Sequence, residues 1–142
     1  KAITLVCLIS GAYAGIEYLP YGFKVTWTFP TNDHVLFDFF IPNEIIENWR
    51  WAGLGLKHID EQDHTMGHSE LITIIFDGDK VEDRWAQGHL TPQPDIKDGG
   101  YDDVIYEGKR NEHGYRVYSF SRPLDTYDSV HDVKLVRDDK YW

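Results

Sequence analysis

Cysteine is almost absent from this chain. With Cys7 alone, no intrachain disulfide can form, and cysteine count carries no information about redox compartment. Basic residues are scarce too, 14 Lys and Arg against 24 Asp and Glu, for a net charge of −10. That field opposes nucleic acid and anionic membrane surfaces as partners and suits cations and basic proteins. There is no Gly-x-Ser-x-Gly elbow and no Gly-rich phosphate loop, so neither signature of nucleophilic hydrolysis or nucleotide binding is present. No window sustains a 3.6-residue period over three turns, and no internal repeat or linker occurs.

What the chain has is aromatic and apolar residues in short alternating runs. Of its 142 residues, 42% are apolar and 15% aromatic, enough for one domain with a single core and a leaning towards β structure. Residues 22–29, "GFKVTWTF", alternate Phe23, Val25, Trp27 and Phe29 against polar neighbours, as a strand with one buried face does. The turn "PTND" then joins it to "HVLFDFFI" in an antiparallel hairpin. "PNEIIENW" suits a short helical turn begun by Pro42 and Asn43, and "WAGLGL" a strand with close approach at its glycines. Asp77-Gly78 marks a second hairpin inside "ELITIIFDGDKVEDRWA". "DDVIYEG" and "GYRVYSFS" predict a third pair across "KRNEH", and "HDVKLVR" a last strand. Eight or nine short strands at intervals of about ten residues predict an all-β fold in one domain, an antiparallel β-sandwich of immunoglobulin-like architecture or a small barrel.

Residues 1–14 admit two readings. A basic start, an apolar run over residues 2–9 too short to span a bilayer, and Ala12-Tyr13-Ala14 before Gly15 together read as a secretory signal; the other reading is a first strand. The signal reading places the protein outside the cell or in the lumen of the secretory pathway, with residues 15–142 as the domain.

Four stretches in order resemble the DOMON family, β-sandwich domains found beside copper monooxygenases related to dopamine β-monooxygenase and in haem-binding cytochrome domains. They are "WAGLGL" at 51–56, "TMGHSELITIIFDG" at 65–78, "VEDRWAQGHLTPQPD" at 81–95, and "YSFSRPLDTYDSVHDVKL" at 118–135. The second departs from the family by carrying Glu70 in place of Asp. The resemblance covers roughly residues 22–142 and implies one or more closing strands near or after "DDKYW". It also implies haem b as a candidate cofactor, with Met66 as one axial ligand to iron and a second ligand from the late part of the domain. His131, Lys134 and Lys140 are nearest in order, but none matches that late position. The alternative for Met66 is packing at the sandwich mouth, where haem-free members also carry Met.

Other candidate sites come from the residues alone. Trp51 and Trp85, with Trp49, could line a groove that stacks a flat ring or a sugar, or could belong to the core. Asp77, Asp79 and Asp83 form a candidate cation loop, with Asp95, Asp98, Asp102 and Asp103 in neighbouring loops, and calcium is the ion such oxygens suit; a solvated acidic surface is the alternative. His58, Asp60, Asp63, His64 and His68 offer donors for zinc or copper, but residues four apart on a strand lie about 13 Å apart, which favours solvated loop histidines. Arg122 is expected to pin its own turn through Asp125 or Asp128.

The function expected is therefore a secreted, non-catalytic ligand-binding module, with haem-based electron transfer as its cofactor-bearing form. The alternatives are an interaction domain for protein or carbohydrate partners, and a fragment of a larger copper monooxygenase-like protein.

Overall fold

The computed structural model describes residues 15–57, 68–87, 91–97 and 99–137. Among these residues nine strands fall into two antiparallel sheets. The first comprises β1 (Gly15–Tyr18), β2 (Lys24–Thr28), β3 (His34–Pro42), β8 (Ile105–Glu112) and β9 (Tyr115–Pro123), in the order β1-β2-β3-β9-β8. The second comprises β4 (Trp51–Leu56), β5 (Ser69–Ile75), β6 (Lys80–Ala86) and β7 (Gln93–Pro94), in sequence order. A six-residue helix, α1 (Asn43–Asn48), follows Pro42 as expected and carries the chain from one sheet to the other. This is the antiparallel β-sandwich that the alternating runs predict. No helix among the described residues is long and apolar enough to cross a membrane.

The core is built by the period of two. Val35, Phe37, Phe39 and Ile41 of β3 face Ala52, Leu54, Leu56, Ile72 and Ile74 of the other sheet, with Tyr118 and Phe120 of β9 completing the layer. Each such apolar side chain contributes roughly 1.5–3 kcal/mol on burial. β3 and β9 form the longest ladder, from His34↔Pro123 to Pro42↔Tyr115. That register sets Arg122 beside Val35, at a core-facing position where an apolar residue would be expected. In the second sheet Glu70 is in register with Leu56 and Trp85, so it too faces inwards.

Two sequence expectations need correction. "KRNE" is part of β8 rather than a loop, because His113 and Gly114 both take positive φ, at 46° and 87°, and make a two-residue turn. "HDVKLVR" is no strand: its backbone is drawn to side chains instead of a ladder, with Val133 N–H donating to Glu70 and Val133 C=O accepting from Arg122. The glycine reading holds at Gly53, where a Cβ would lie 3.2 Å from the Leu71 side chain on the outer face of the second sheet.

The end of the sandwich at the β5–β6 turn is closed by polar contacts. Tyr118 OH donates to Asp79 at 2.7 Å, and Lys109 pairs with the same carboxylate. These contacts, Lys109 first, lower the Asp79 pKa, while burial and the Asp79 hydrogen bond push Tyr118 up to about 12. Tyr118→Phe is expected to lower stability by about 1.5–3 kcal/mol in urea unfolding without changing the slope of the transition, since a hydrogen bond to a charged group is lost and the ring stays packed.

Candidate metal centre

At the opposite end of the strands the two sheets are joined by a buried ion pair. Arg122 is 1% exposed and Glu70 fully buried. One Arg122 Nη pairs with Glu70 Oε2; the other donates to Val133 C=O at 3.0 Å, and Nε donates to Pro123 C=O at 3.0 Å. Glu70 Oε2 also accepts from Val133 N–H at 2.9 Å. Arg122 therefore reaches across the core instead of pinning its own turn. Asp125 pairs with Lys134 and accepts from Tyr127 N–H, while Asp128 accepts from the backbone and ring of His131.

Around this pair gather more carboxylates than the arginine can neutralise. Oxygens of Glu70, Asp83 and Asp132 lie within 4.8 Å of one another. Asp83 reaches the site because it faces inwards from β6 in register with Ile72. Asp95, 1% exposed, heads the 3₁₀ turn Asp95–Lys97. Asp132 hangs from the loop after β9, where its N–H donates to Asp128 C=O. The two loops meet at Gly100, where a Cβ would come within 2.7 Å of Asp128 Oδ2 and 3.1 Å of Asp95 Cβ, so only glycine allows this approach.

The oxygens themselves are unusual. Glu70 Oε1, Asp83 Oδ1 and both oxygens of Asp95 and Asp132 are shut off from solvent and accept no hydrogen bond from the described residues. Thr126 sits beside Asp132 and eases its ionisation without reaching hydrogen-bond geometry. Burial, reinforced by mutual repulsion, raises the pKa of Asp83 to about 9 and of Asp95 to about 8. For Glu70, burial outweighs Arg122 and raises the pKa to about 7. Asp132 and Asp103 are raised as well, burial being the leading cause in both.

The residues singled out in the sequence are distributed unevenly about this centre. Asp83 belongs to it, Asp95 lies close enough to Asp132 and Glu70 for their charges to raise its pKa, and Asp103 adjoins it, its N–H donating to Asp83 Oδ2 at 3.2 Å. Asp77 and Asp79 sit in the turn at the far end, so the run Asp77, Asp79, Asp83 is not brought together as one loop. Trp85 lies on the inner face in register with Glu70, in T-shaped contact with His68 and His131. Trp51 is half-exposed on an edge strand, on the outer face with Gly53. Met66, His58, Asp60, Asp63, His64 and Asp98 lie outside the described residues, and with them the haem ligand and most of the zinc or copper donors. Reading its segment as a strand hides Asp132, and the family pattern marks Glu70 only as a departure. An acidic residue heading an otherwise continuous apolar strand was the available signal for Glu70.

The chain matches no protein-family model and no curated protein.

The raised carboxyls set a pH dependence whose sign follows from proton counting. Between the ordinary unfolded values near pH 4 and the folded values of about 7 to 9, the cation-free folded state holds more protons than the unfolded state, so its stability falls as pH rises. Carboxylates with lowered pKa, such as Asp79, act below about pH 4 and leave this window alone. In EDTA, calorimetry is expected to show Tm dropping by several degrees from pH 5 to pH 9, and Asp83→Asn should flatten the slope. Arg122→Ala should lower stability by about 3–5 kcal/mol, since it strands a buried carboxylate.

Proposed function

We propose that the chain is a β-sandwich binding module whose ligand at this end is a hard divalent cation, calcium above all, held by Glu70, Asp83, Asp95 and Asp132. The observation that carries this reading is the set of six buried oxygens from these residues that lack any hydrogen-bond donor among the described residues. Four carboxylates facing one guanidinium leave a deficit of positive charge, and each unpaired buried charge is worth several kcal/mol against folding. A bound cation removes that deficit.

The chemistry of the donors selects the ion. Calcium takes about six to eight oxygens in irregular geometry, whereas magnesium demands an octahedron and keeps several waters. The innermost donors are all carboxylate oxygens, which disfavours copper or zinc, ions that imidazole or thiolate would serve better. Arg122 and Val133 N–H occupy Glu70 Oε2 and so orient Oε1 as the donor.

One observation supports the wider reading of a DOMON-type module. Glu70, Asp83, Asp95, Arg122 and Asp128 come from the separate stretches that carry the resemblance, and they surround one centre. Extracellular modules bind calcium at about 10⁻⁴–10⁻³ M, the range a site of this kind would use outside the cell.

Calorimetric titration of EDTA-stripped protein with calcium is expected to give one site. At a hundred times the dissociation constant, binding should add about 2.7 kcal/mol of stability, roughly 5–10 °C in Tm. Asp95→Asn and Asp83→Asn should each weaken binding at least about tenfold, one missing charged donor being worth more than 1.4 kcal/mol. Asp102→Asn, outside the cluster, should leave it unchanged. Unaltered Tm with calcium, magnesium, manganese and zinc alike would refute the proposal.

A further inference from the structure

Two loops meet over the carboxylate centre, and both keep large side chains in solvent that neither the core nor the cation uses. Ile96, Tyr101, Tyr127 and Val130 are each between 67% and 91% exposed. Isolated exposed hydrophobes are ordinary on a protein surface, whereas contiguous ones mark interaction sites. These four are contiguous because each is at, or next in the chain to, the junction at Gly100. Ile96 follows Asp95, Tyr101 follows Gly100, Tyr127 precedes Asp128 and Val130 precedes His131. Gly100 N–H donates to Asp95 C=O at 2.9 Å, and a Cβ at Gly100 would lie 2.7 Å from Asp128 Oδ2 and 2.9 Å from His131 Nδ1. Every one of the exposed side chains thus starts one peptide step, about 3.8 Å, from a residue of that junction.

The loop that carries Tyr127 and Val130 is held by its own aspartates. Asp125 Oδ1 accepts from Tyr127 N–H at 3.0 Å, and Asp128 Oδ1 accepts from the N–H groups of Val130 and His131, both at 3.2 Å. A surface fixed in this way loses little conformational freedom when a partner arrives. Tyr127 takes a φ of 62°, a left-handed backbone that glycine adopts freely and a tyrosine only with strain. Its ring is the most exposed of the four, so folding gains little from a tyrosine at this position.

Charge identifies the partner. The stretches "DIKDGGYDDV" at 95–104 and "DTYDSVHD" at 125–132 hold seven aspartates against one lysine. Lys134, just beyond them, pairs with Asp125, and Arg122 beneath them pairs with Glu70. A bound divalent cation would offset two of those charges and leave the loops acidic, within a chain of net charge −10. Such a surface repels nucleic acid and anionic lipid and attracts Lys and Arg side chains. Tyrosine suits the same partner, since its ring face attracts a cation and its hydroxyl finds hydrogen bonds at an interface. Ile96 and Val130 add apolar contact beside the charge. We propose that Ile96, Tyr101, Tyr127 and Val130 form a docking surface for a protein partner whose contacting segment combines lysine or arginine with apolar side chains. This surface is distinct from the cation's oxygens and requires no ion in them.

The test is a titration of ¹⁵N-labelled protein, in calcium-containing buffer, with a synthetic peptide of repeated Gly-Lys-Leu triplets, following the amide signals of the four residues. Those signals should shift saturably. A Gly-Lys-Gly peptide, which has the charge alone, should bind about fivefold or more weakly, and a Gly-Glu-Leu peptide should leave the signals in place. Tyr127→Gly should weaken binding about tenfold or more, as loss of an anchoring tyrosine does at interfaces, while Tm stays the same or rises because glycine accepts the left-handed backbone. Tyr18→Ser, at an exposed tyrosine on the edge strand β1, should bind as the unaltered protein does. The proposal is overturned if the Gly-Lys-Leu peptide gives no saturable shift at these residues, if the Gly-Glu-Leu peptide binds equally well, or if Tyr127→Gly binds as before. It is overturned too if phosphatidylcholine vesicles shift the same signals and the peptide does not, which would make the surface a lipid contact. Failure of calcium to raise Tm refutes the cation site alone, so the two results are separable.

Discussion

The pairing of Arg122 with Glu70 across the sandwich is the contact on which this end of the molecule depends. Each residue sits at a position where its own strand would otherwise carry a core hydrophobe. Burying either charge alone would cost several kcal/mol, so each residue requires the other. The pair also recruits backbone. By engaging Val133 through both its N–H and its C=O, it shapes the chain after β9 and holds Asp132 over the mouth.

From that constraint the electrostatics follow. Arg122 has one positive charge and directs it at Glu70, while Asp83, Asp95 and Asp132 crowd the same volume, with Asp103 N–H as the donor to one Asp83 oxygen and none for Asp95 or Asp132 among the described residues. A cluster of this kind has two ways to remain folded: hold protons or hold a cation. The raised pKa values express the first, and the spare oxygens define the second. The far end of the sandwich shows the contrast, since Asp79 is met by Lys109 and Tyr118 and ionises more easily than a free carboxyl. Acidic residues at the two ends thus differ in role because their partners differ, although in the sequence Asp79 and Asp83 are only four residues apart.

Most of the architecture was legible along the chain. Alternation located the inner face of β2, the hairpin signals placed β3 and β9 as strands, Asp77-Gly78 marked the β5–β6 turn, and Pro42-Asn43 marked α1. Misreadings arose where long-range contacts outweighed local preference. The apolar alternation in "HDVKLVR" is real, with Leu135 buried, but Glu70 and Arg122 claim its backbone from positions more than ten residues away. "KRNE" looked like a loop because charged residues are common in turns, yet β8 is an edge strand whose outward positions tolerate charge.

The candidate centre divides along the same line. Composition and spacing by themselves determined a two-sheet fold and an excess of acidic side chains available to a cation, because strand period and net charge are properties of the local chain. Which carboxylates would share an ion was decided only by tertiary structure. Register turned Glu70 and Asp83 inwards, Gly100 let two loops touch, and Arg122 was drawn across the core to a residue fifty-two positions away. Desolvation and mutual repulsion act through space, and no pattern of neighbours along the chain records them.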